Sequence, residues 1–524
     1  MALKGQLMSE PVDVRDVLRI GVEQCPDDVA IVAIGEAMTW RELEAASTSL
    51  AANYRGLGLE PGDRLASLVP NRILLAVHYL ACFKAGLVAT PLNYRYMAPE
   101  IDHALEVSNA AALVMHVERV DDVDASKLVP KLPVGRITYG DPDSTVGVAT
   151  LEALLASATT GARCEAPGRS DPAAIFFTSG STGPAKGVTH SIETLGWMTA
   201  GAARAFELTP DDRFLPASSM SHIGSFMWTL ASLSVGAKVV VARTFDAGEV
   251  LPLLREQRPT ILAMIPAALT ALLRDHATTA EDFASLRLVR CGADKVSMEL
   301  EKEFTDLVGF PVDEGYGMSE VGLATLNPPS GEIRPGSIGV PVPGVEIALL
   351  GDDGDEVSTG DVGRVWIKTR SRTVGYWRNP SATAEIMRDG WLDSGDLARA
   401  DDDGYLWFYG RKKQIIVHDG SNISPFEVEG ALAEHPGVEL VGVVGIIDET
   451  HGENVRAYVT IDTTAERPTA QDLIEFARER VGYKAPEEVV FLEEMPLNPT
   501  GKIDRVGLKR MAEEHLHPHV PSVR

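Results

Sequence analysis

Residues 62–92 read GDRLASLVPNRILLAVHYLACFKAGLVATPL, and their punctuation decides the fold class. The turn Pro61-Gly62-Asp63 releases ASLVP, a short apolar run of strand length. A longer apolar run follows from about Ile73 to Lys84 and stops at Gly86, after which LVATPL returns to strand character. Strand, helix and strand in succession is the pattern of layered α/β sheets. A helix from Trp40 to about Tyr54 precedes this unit. Beyond it, AKVVVA (237–242), TILAMIP (260–266) and LRLVRCG (286–292) read as further strands with helical stretches between them.

From about 331 the texture changes to short strands with Gly, Pro and Asp turns, as in GSIGVPVPGVEIALLGDDGDE. That pattern predicts a mostly antiparallel, β-rich subdomain over about 331–412. GRKKQIIVHDG (410–420) closes it, and the residues that remain suffice for a small α+β domain. The expected organisation is a large N-terminal domain, 1–412, in which layered α/β sheets carry the β-rich subdomain. A C-terminal α+β domain, 413–524, follows from a hinge near Lys413. A chain of 524 residues exceeds what one hydrophobic core usually organises, which agrees with more than one domain.

Composition narrows the function classes. Hydrophobic residues make up 45% of the chain and charged residues 23%, an ordinary globular balance. The net charge of -27 would repel a nucleic-acid backbone or an acidic lipid surface, so neither is an expected partner. Acidic small molecules stay open, because backbone N–H groups, a lysine and a metal ion act locally against a screened distant charge. Cys25, Cys82, Cys164 and Cys291 are scattered, indicating neither a zinc site nor a disulfide framework. MALKGQLMSEPVDV lacks the apolar core of a signal peptide, and no run of about 20 apolar residues suggests a membrane span. The expected location is the cytoplasm.

Four stretches carry chemistry. In FFTSGSTGPAKG (176–187) a strand-like segment enters a loop of small residues. Its backbone N–H groups, the hydroxyls of Thr178, Ser179, Ser181 and Thr182, and Lys186 can wrap a polyphosphate, with Gly180 and Gly183 permitting close approach. A Gly- and Ser-rich surface turn reads the same way. Lys186 is followed by Gly187, so the P-loop spacing GxxxxGK[ST] is not met. EGYGMSE (314–320) offers an aromatic ring and an acid, WLDSGDL (391–397) with YGRKK (409–413) an acid and a cation, and PLNPTGKIDR (496–505) a lysine on a glycine turn. Taken singly, each also fits an ordinary solvated turn or helix start.

Together, in this order and at these separations, the four stretches resemble the adenylate-forming superfamily of acyl-CoA synthetases, luciferases and nonribosomal-peptide adenylation domains. The likeness runs from Met38 to Arg505. It implies an ATP-dependent ligase that activates a carboxylic acid as its acyl-adenylate and passes the acyl group to coenzyme A. Under that resemblance the loop holding Thr178 to Gly183 and Lys186 binds the β and γ phosphates of ATP. Gly292, Ala293 and Asp294 of CGADKVSMEL, and Glu314, Gly315, Tyr316, Gly317, Met318 and Ser319, line the nucleotide and acyl site, with Tyr316 stacking on adenine. Glu320 coordinates Mg2+, a hard oxygen for a hard cation. Asp396 and Arg411 contact the ribose, and Lys502 is the catalytic cation of adenylation. The C-terminal domain becomes a mobile one, and Gly420 in HDGSNISPFEVE leaves a pantetheine tunnel open for CoA.

His222 of SMSHIGSFMW matches a gate between acyl pocket and thiol, although a structural histidine reads equally well. That segment has no aspartate for a substrate ammonium, which argues against an α-amino acid. The sequence departs from the pattern at Ala185, Ser319, Lys295 and Gln414. Alternatives within and beyond the family are a ligase that loads a carrier-protein phosphopantetheine, a luciferase-like monooxygenase, and a non-catalytic nucleotide-binding relative.

Overall fold

The computed structural model describes residues 10–157, 167–178, 184–274, 278–292, 296, 298–418, 421–448, 451–462, 465–498 and 502–516, with the backbone of 3–4. The segment that opens the sequence reading folds as expected. Arg64–Leu68 and Val88–Pro91 are parallel neighbours, and the helix Ile73–Ala85 crosses between them. Gly86 ends that helix at φ 73°, a left-handed cap that a residue with a Cβ reaches only at a cost. The helix has no polar face: Ile73, Leu75, Val77, Leu80 and Phe83 are all buried, each worth about 1.5–3 kcal/mol of transfer free energy. Its neighbour Trp40–Gly56 starts at a reciprocal cap, Thr39 to the backbone of Glu42 and Glu42 back to the backbone of Thr39.

Among the described residues four sheets form. Two are α/β sheets. One has eight strands and contains Arg64–Leu68, Val88–Pro91, Pro172–Phe177 and Gly187–Ser191. The other has nine, in which Lys238–Val240, Arg213–Ala217, Ile261–Met264, Leu288–Cys291 and Asp313–Met318 run parallel in that order. The third sheet is antiparallel through Val345–Leu350, Val362–Thr369, Trp391–Ala400 and Leu406–Arg411. The β-rich reading of 331–412 needs one amendment. Gly375–Tyr376 leaves its own region and pairs with Gly187–Ser191 in the eight-stranded sheet. Two backbone bonds anchor the crossing, Val374 N–H to the Thr189 carbonyl and Trp377 N–H to the Gly187 carbonyl.

The fourth sheet holds Ile416–His418, Ser421–Ile423, Val438–Asp448, Gly452–Ile461 and Glu488–Phe491. It has its own apolar core, including Ile416, Val428, Leu432, Val443, Val455 and Leu473. The short turn Lys412–Gln414 joins this unit to the strand Leu406–Arg411. No helix among the described residues is long and apolar enough to cross a membrane.

Candidate active site

Strand register brings the scattered motifs to one place. Asp396 lies opposite Arg411 in the pair Trp391–Ala400 and Leu406–Arg411, and Arg411 Nε stands 3.3 Å from the carboxylate. The Tyr316 hydroxyl donates to Asp396 Oδ2 at 2.6 Å, tying the nine-stranded sheet to the antiparallel one. Asp396 is buried, and burial raises its carboxyl above the usual range against the opposing pull of Arg411, Tyr316 and Lys502. Its Oδ1 is the oxygen paired with Arg411 Nε, and it makes no well-aligned hydrogen bond among the described residues, which leaves this buried oxygen capacity for a further donor. Phe408 lies behind the Tyr316 ring at a centroid separation of 6.2 Å.

The glycines of EGYGMSE are sterically required. A Cβ on Gly317 would meet the Gly322 carbonyl at 2.3 Å, and one on Gly315 would meet that of Thr325 at 2.7 Å. The ladder shifts register between Tyr316 and Gly317, a bulge that re-aims the tyrosine. Glu314 is buried, and its carboxylate accepts from the backbone of Val296 at 3.2 Å. Met318 ends the same strand.

Glu320 is buried, with its carboxyl raised by desolvation. The Tyr376 hydroxyl donates to Glu320 Oε1 at 2.8 Å, and the Lys186 ammonium stands 5.1 Å from the centre of the same tyrosine ring. The displaced strand Gly375–Tyr376 thus links the lysine of the Gly-rich loop to the acid of EGYGMSE. Thr178 N–H donates to the Lys186 carbonyl across the loop base. Ser179, Gly180, Ser181, Thr182 and Gly183 lie outside the described residues, as do Ala293, Asp294 and Gly420.

Two residues escaped the sequence reading. Tyr376 lies in a stretch without a motif, and only the sheet pairing puts it here. His190 is fully buried and contacts the Ser319 carbonyl through Nε2 at 2.8 Å, with Nδ1 3.3 Å from the Thr194 hydroxyl. Burial lowers its pKa to about 4, so at neutral pH it is an uncharged imidazole that donates to Ser319. A lone histidine in GVTHS gives no such signal.

His222 is half-buried at the entry of the helix Ile223–Ser234, with Nε2 3.4 Å from the Asn93 amide nitrogen. Its pKa is lowered to about 4, first by burial and then by the positive charges of Lys502 and Arg95. Lys502 therefore acts electrostatically on both His222 and Asp396, although it belongs to the C-terminal unit. Its loop closes on itself: Lys502 N–H donates to Asn498 Oδ1 at 3.1 Å, and Asn498 N–H to the Lys502 carbonyl at 2.7 Å.

Comparison with known proteins places this arrangement. Residues 18–377 match the model of the AMP-binding enzyme, and residues 427–502 that of the AMP-binding enzyme C-terminal domain. The chain belongs to the AMP-binding enzyme family. Among its relatives, a feruloyl-CoA synthase from Amycolatopsis sp is 33% identical over 495 residues, covering 93% of this chain and 96% of that protein. A fatty acid–[acyl-carrier-protein] ligase, ScoC, from Streptomyces coeruleorubidus is 31% identical over 92% of this chain and 93% of that protein. The structure of ATP-bound MatB from Rhodopseudomonas palustris superposes with a TM-score of 0.88 at 29% identity, covering 96% of this chain and 99% of that one.

Proposed function

We propose that the chain is an ATP-dependent acyl-CoA ligase whose two half-reactions share one site. A carboxylate attacks the α-phosphorus of ATP, forming acyl-AMP and releasing pyrophosphate. The thiol of coenzyme A then attacks the acyl carbon and displaces AMP. The observation that carries this reading is the convergence of Tyr316, Asp396 and Arg411 on one spot that also feels Lys502 of the second unit. The buried Asp396 Oδ1, held only by the ion pair with Arg411 and by no well-aligned hydrogen bond among the described residues, suits a ribose hydroxyl, and Arg411 can donate to its neighbour.

The residue roles follow. The Tyr316 ring offers the adenine a face, and the loop of Thr178 to Gly183 with Lys186 receives the β and γ phosphates. The attacking carboxylate and the phosphate are both anionic, so the step needs a cation between them, and Lys502 provides it. His222, at the entry of the helix Ile223–Ser234, stays uncharged at neutral pH and so adds no charge of its own to the acyl side. Among the described residues no three His, Cys, Asp or Glu side chains cluster to hold a metal alone. Glu320 fits Mg2+ as a single carboxylate beside the phosphates, where the ion would offset phosphate charge. After adenylation the C-terminal unit turns about Lys413, withdrawing Lys502 and bringing Gly420 to the thiol's path.

The substrate is a carboxylic acid, and the similarity to the carrier-protein ligase makes the acceptor the point to test. Pyrophosphate release should occur with ATP and a suitable acid alone, and turnover should become continuous on adding CoA. Turnover with phosphopantetheinyl carrier protein but not with CoA would transfer the reading to a carrier-loading ligase. Lack of pyrophosphate with every acid of a broad panel would overturn it.

A further inference from the structure

The chain buries a charge that the reaction above does not use. Arg290, in the strand Leu288–Cys291, is only 5% exposed. Its guanidinium fills the space beside Gly292, where a Cβ would meet Nη1 at 2.1 Å. It donates to the carbonyls of Cys291 at 2.6 Å and Gly315 at 2.9 Å. The guanidinium carbon stands 5.7 Å from the centre of the Trp228 ring. Two N–H donors at this contact, Arg290 Nε and Trp228 Nε1, are buried and meet no acceptor among the described residues. Buried donors left unmade cost folding free energy, and two of them on one arginine–tryptophan pair point to an acceptor that arrives with a ligand.

The position identifies that ligand. Gly315 and Gly292 flank Arg290, and Gly315 directly precedes Tyr316. Trp228 lies on the helix that begins just after His222, and Gly224 sits one turn earlier, where a Cβ would touch the indole at 3.4 Å. From His222 to Trp228 the helix advances about 9 Å. An acid with its carboxyl near His222 and Lys502 would thus place its far end near the indole and the guanidinium. Glu314, on the strand paired with Arg290, offsets part of the arginine's charge, and Asp313 does so in its ionised form. A second carboxylate there would meet carboxylates, whereas an uncharged oxygen takes the donors without that repulsion.

We propose that Arg290 and Trp228 select carboxylic acids whose far end, roughly 9 Å from the reacting carboxyl, carries an uncharged hydrogen-bond-accepting oxygen such as an ether, carbonyl or phenol. This rests on the acyl-CoA ligase reading, and it names the acid that ligase takes.

The test compares three trans-cinnamic acids of matched shape, with para-methoxy, para-ethyl and para-carboxylate groups, by kcat/KM for pyrophosphate release. The wild type should prefer the methoxy acid over the ethyl one by about 10-fold or more, because an unfilled polar pocket rejects the apolar isostere, and should use the dicarboxylate least. Trp228→Phe removes one N–H and keeps a ring. It should erase most of that preference by slowing the methoxy acid far more than the ethyl acid, and Arg290→Lys should act in the same sense. A purely structural role would slow all acids together and lower the melting temperature. Equal wild-type rates with the methoxy and ethyl acids, a preference unchanged in Trp228→Phe, or turnover only of acids without such an oxygen overturns this inference alone. Lack of pyrophosphate with any acid overturns the ligase reading instead.

Discussion

Two regions facing the candidate site are built on different terms. Tyr316 and Asp396 stand on strands, the first half-buried and the second buried, joined by a 2.6 Å hydrogen bond, and fixed by register on both sides. Lys502 stands on a loop closed by two hydrogen bonds to Asn498, on a unit with its own core beyond the turn Lys412–Gln414. Groups needed in both half-reactions suit rigid sheet, while a group needed in only one suits a part that can leave. In the proposed mechanism this contrast is the device: nucleotide contacts persist, and the cation is exchanged.

The contrast can be broken at its moving side first. Lys502→Ala should lower the rate of adenylation about 100-fold or more, the usual cost of removing one placed donor from developing charge. Its melting temperature should stay close to the wild-type value, since Lys502 lies in no hydrophobic core. Stopped assays of pyrophosphate with thermal unfolding on the same sample check both. At the fixed side, Asp396→Ala should weaken ATP by about 10- to 100-fold, as expected for a lost hydrogen bond to a charged group, and should leave the order of preference among acids unchanged. Isothermal titration with ATP measures it.

His222, at the entry of the helix Ile223–Ser234, feels the charge of Lys502. His222→Ala should change relative rates across acids and the thioester step by several-fold and leave ATP affinity nearly constant. A large fall in melting temperature with unchanged relative rates would make it a structural histidine instead, since truncation would then leave an unpaired partner costing about 1–3 kcal/mol.

The smallest effect concerns pH. His190 has its pKa lowered to about 4 in the fold from an ordinary 6.5, so the unfolded chain takes up the proton first as pH falls. Its stabilising contribution is full above pH 6.5 and is lost toward pH 4, at up to about 1.4 kcal/mol per pH unit. Asp313, raised to about 7 by burial, works in the opposite sense over the same range, because the fold holds its proton longer. The difference between the wild type and His190→Gln cancels the Asp313 contribution. In urea unfolding from pH 6.5 to 4.5 that difference should shrink as pH falls. A constant difference would mean that His190 titrates normally in the fold.

Much of this was legible in sequence where one stretch carries both pattern and chemistry. The apolar runs on either side of Pro61-Gly62-Asp63 and Gly86 predict strand, helix and strand, because turn and cap residues mark the boundaries. The motif order brings Tyr316, Asp396 and Arg411 into one reading, and their contacts in the fold join the same three. What stayed hidden depends on contacts distant in sequence. Tyr376 reaches Glu320 only because Gly375–Tyr376 changes sheets, and no local periodicity encodes a strand of two residues. His190 holds the Ser319 carbonyl from a residue 129 positions away. Arg290 reads as a charge in an apolar strand, and only its neighbours Trp228 and Gly292 reveal two unmet donors.

The central claim is that Lys502 serves one half-reaction and the sheet-borne residues serve both. The direct measurement supplies purified acyl-AMP and CoA to the Lys502→Ala protein and follows thioester formation beside the forward adenylation assay. The expected result is adenylation reduced about 100-fold or more with thioester formation near the wild-type rate. Equal losses in both half-reactions would contradict the account.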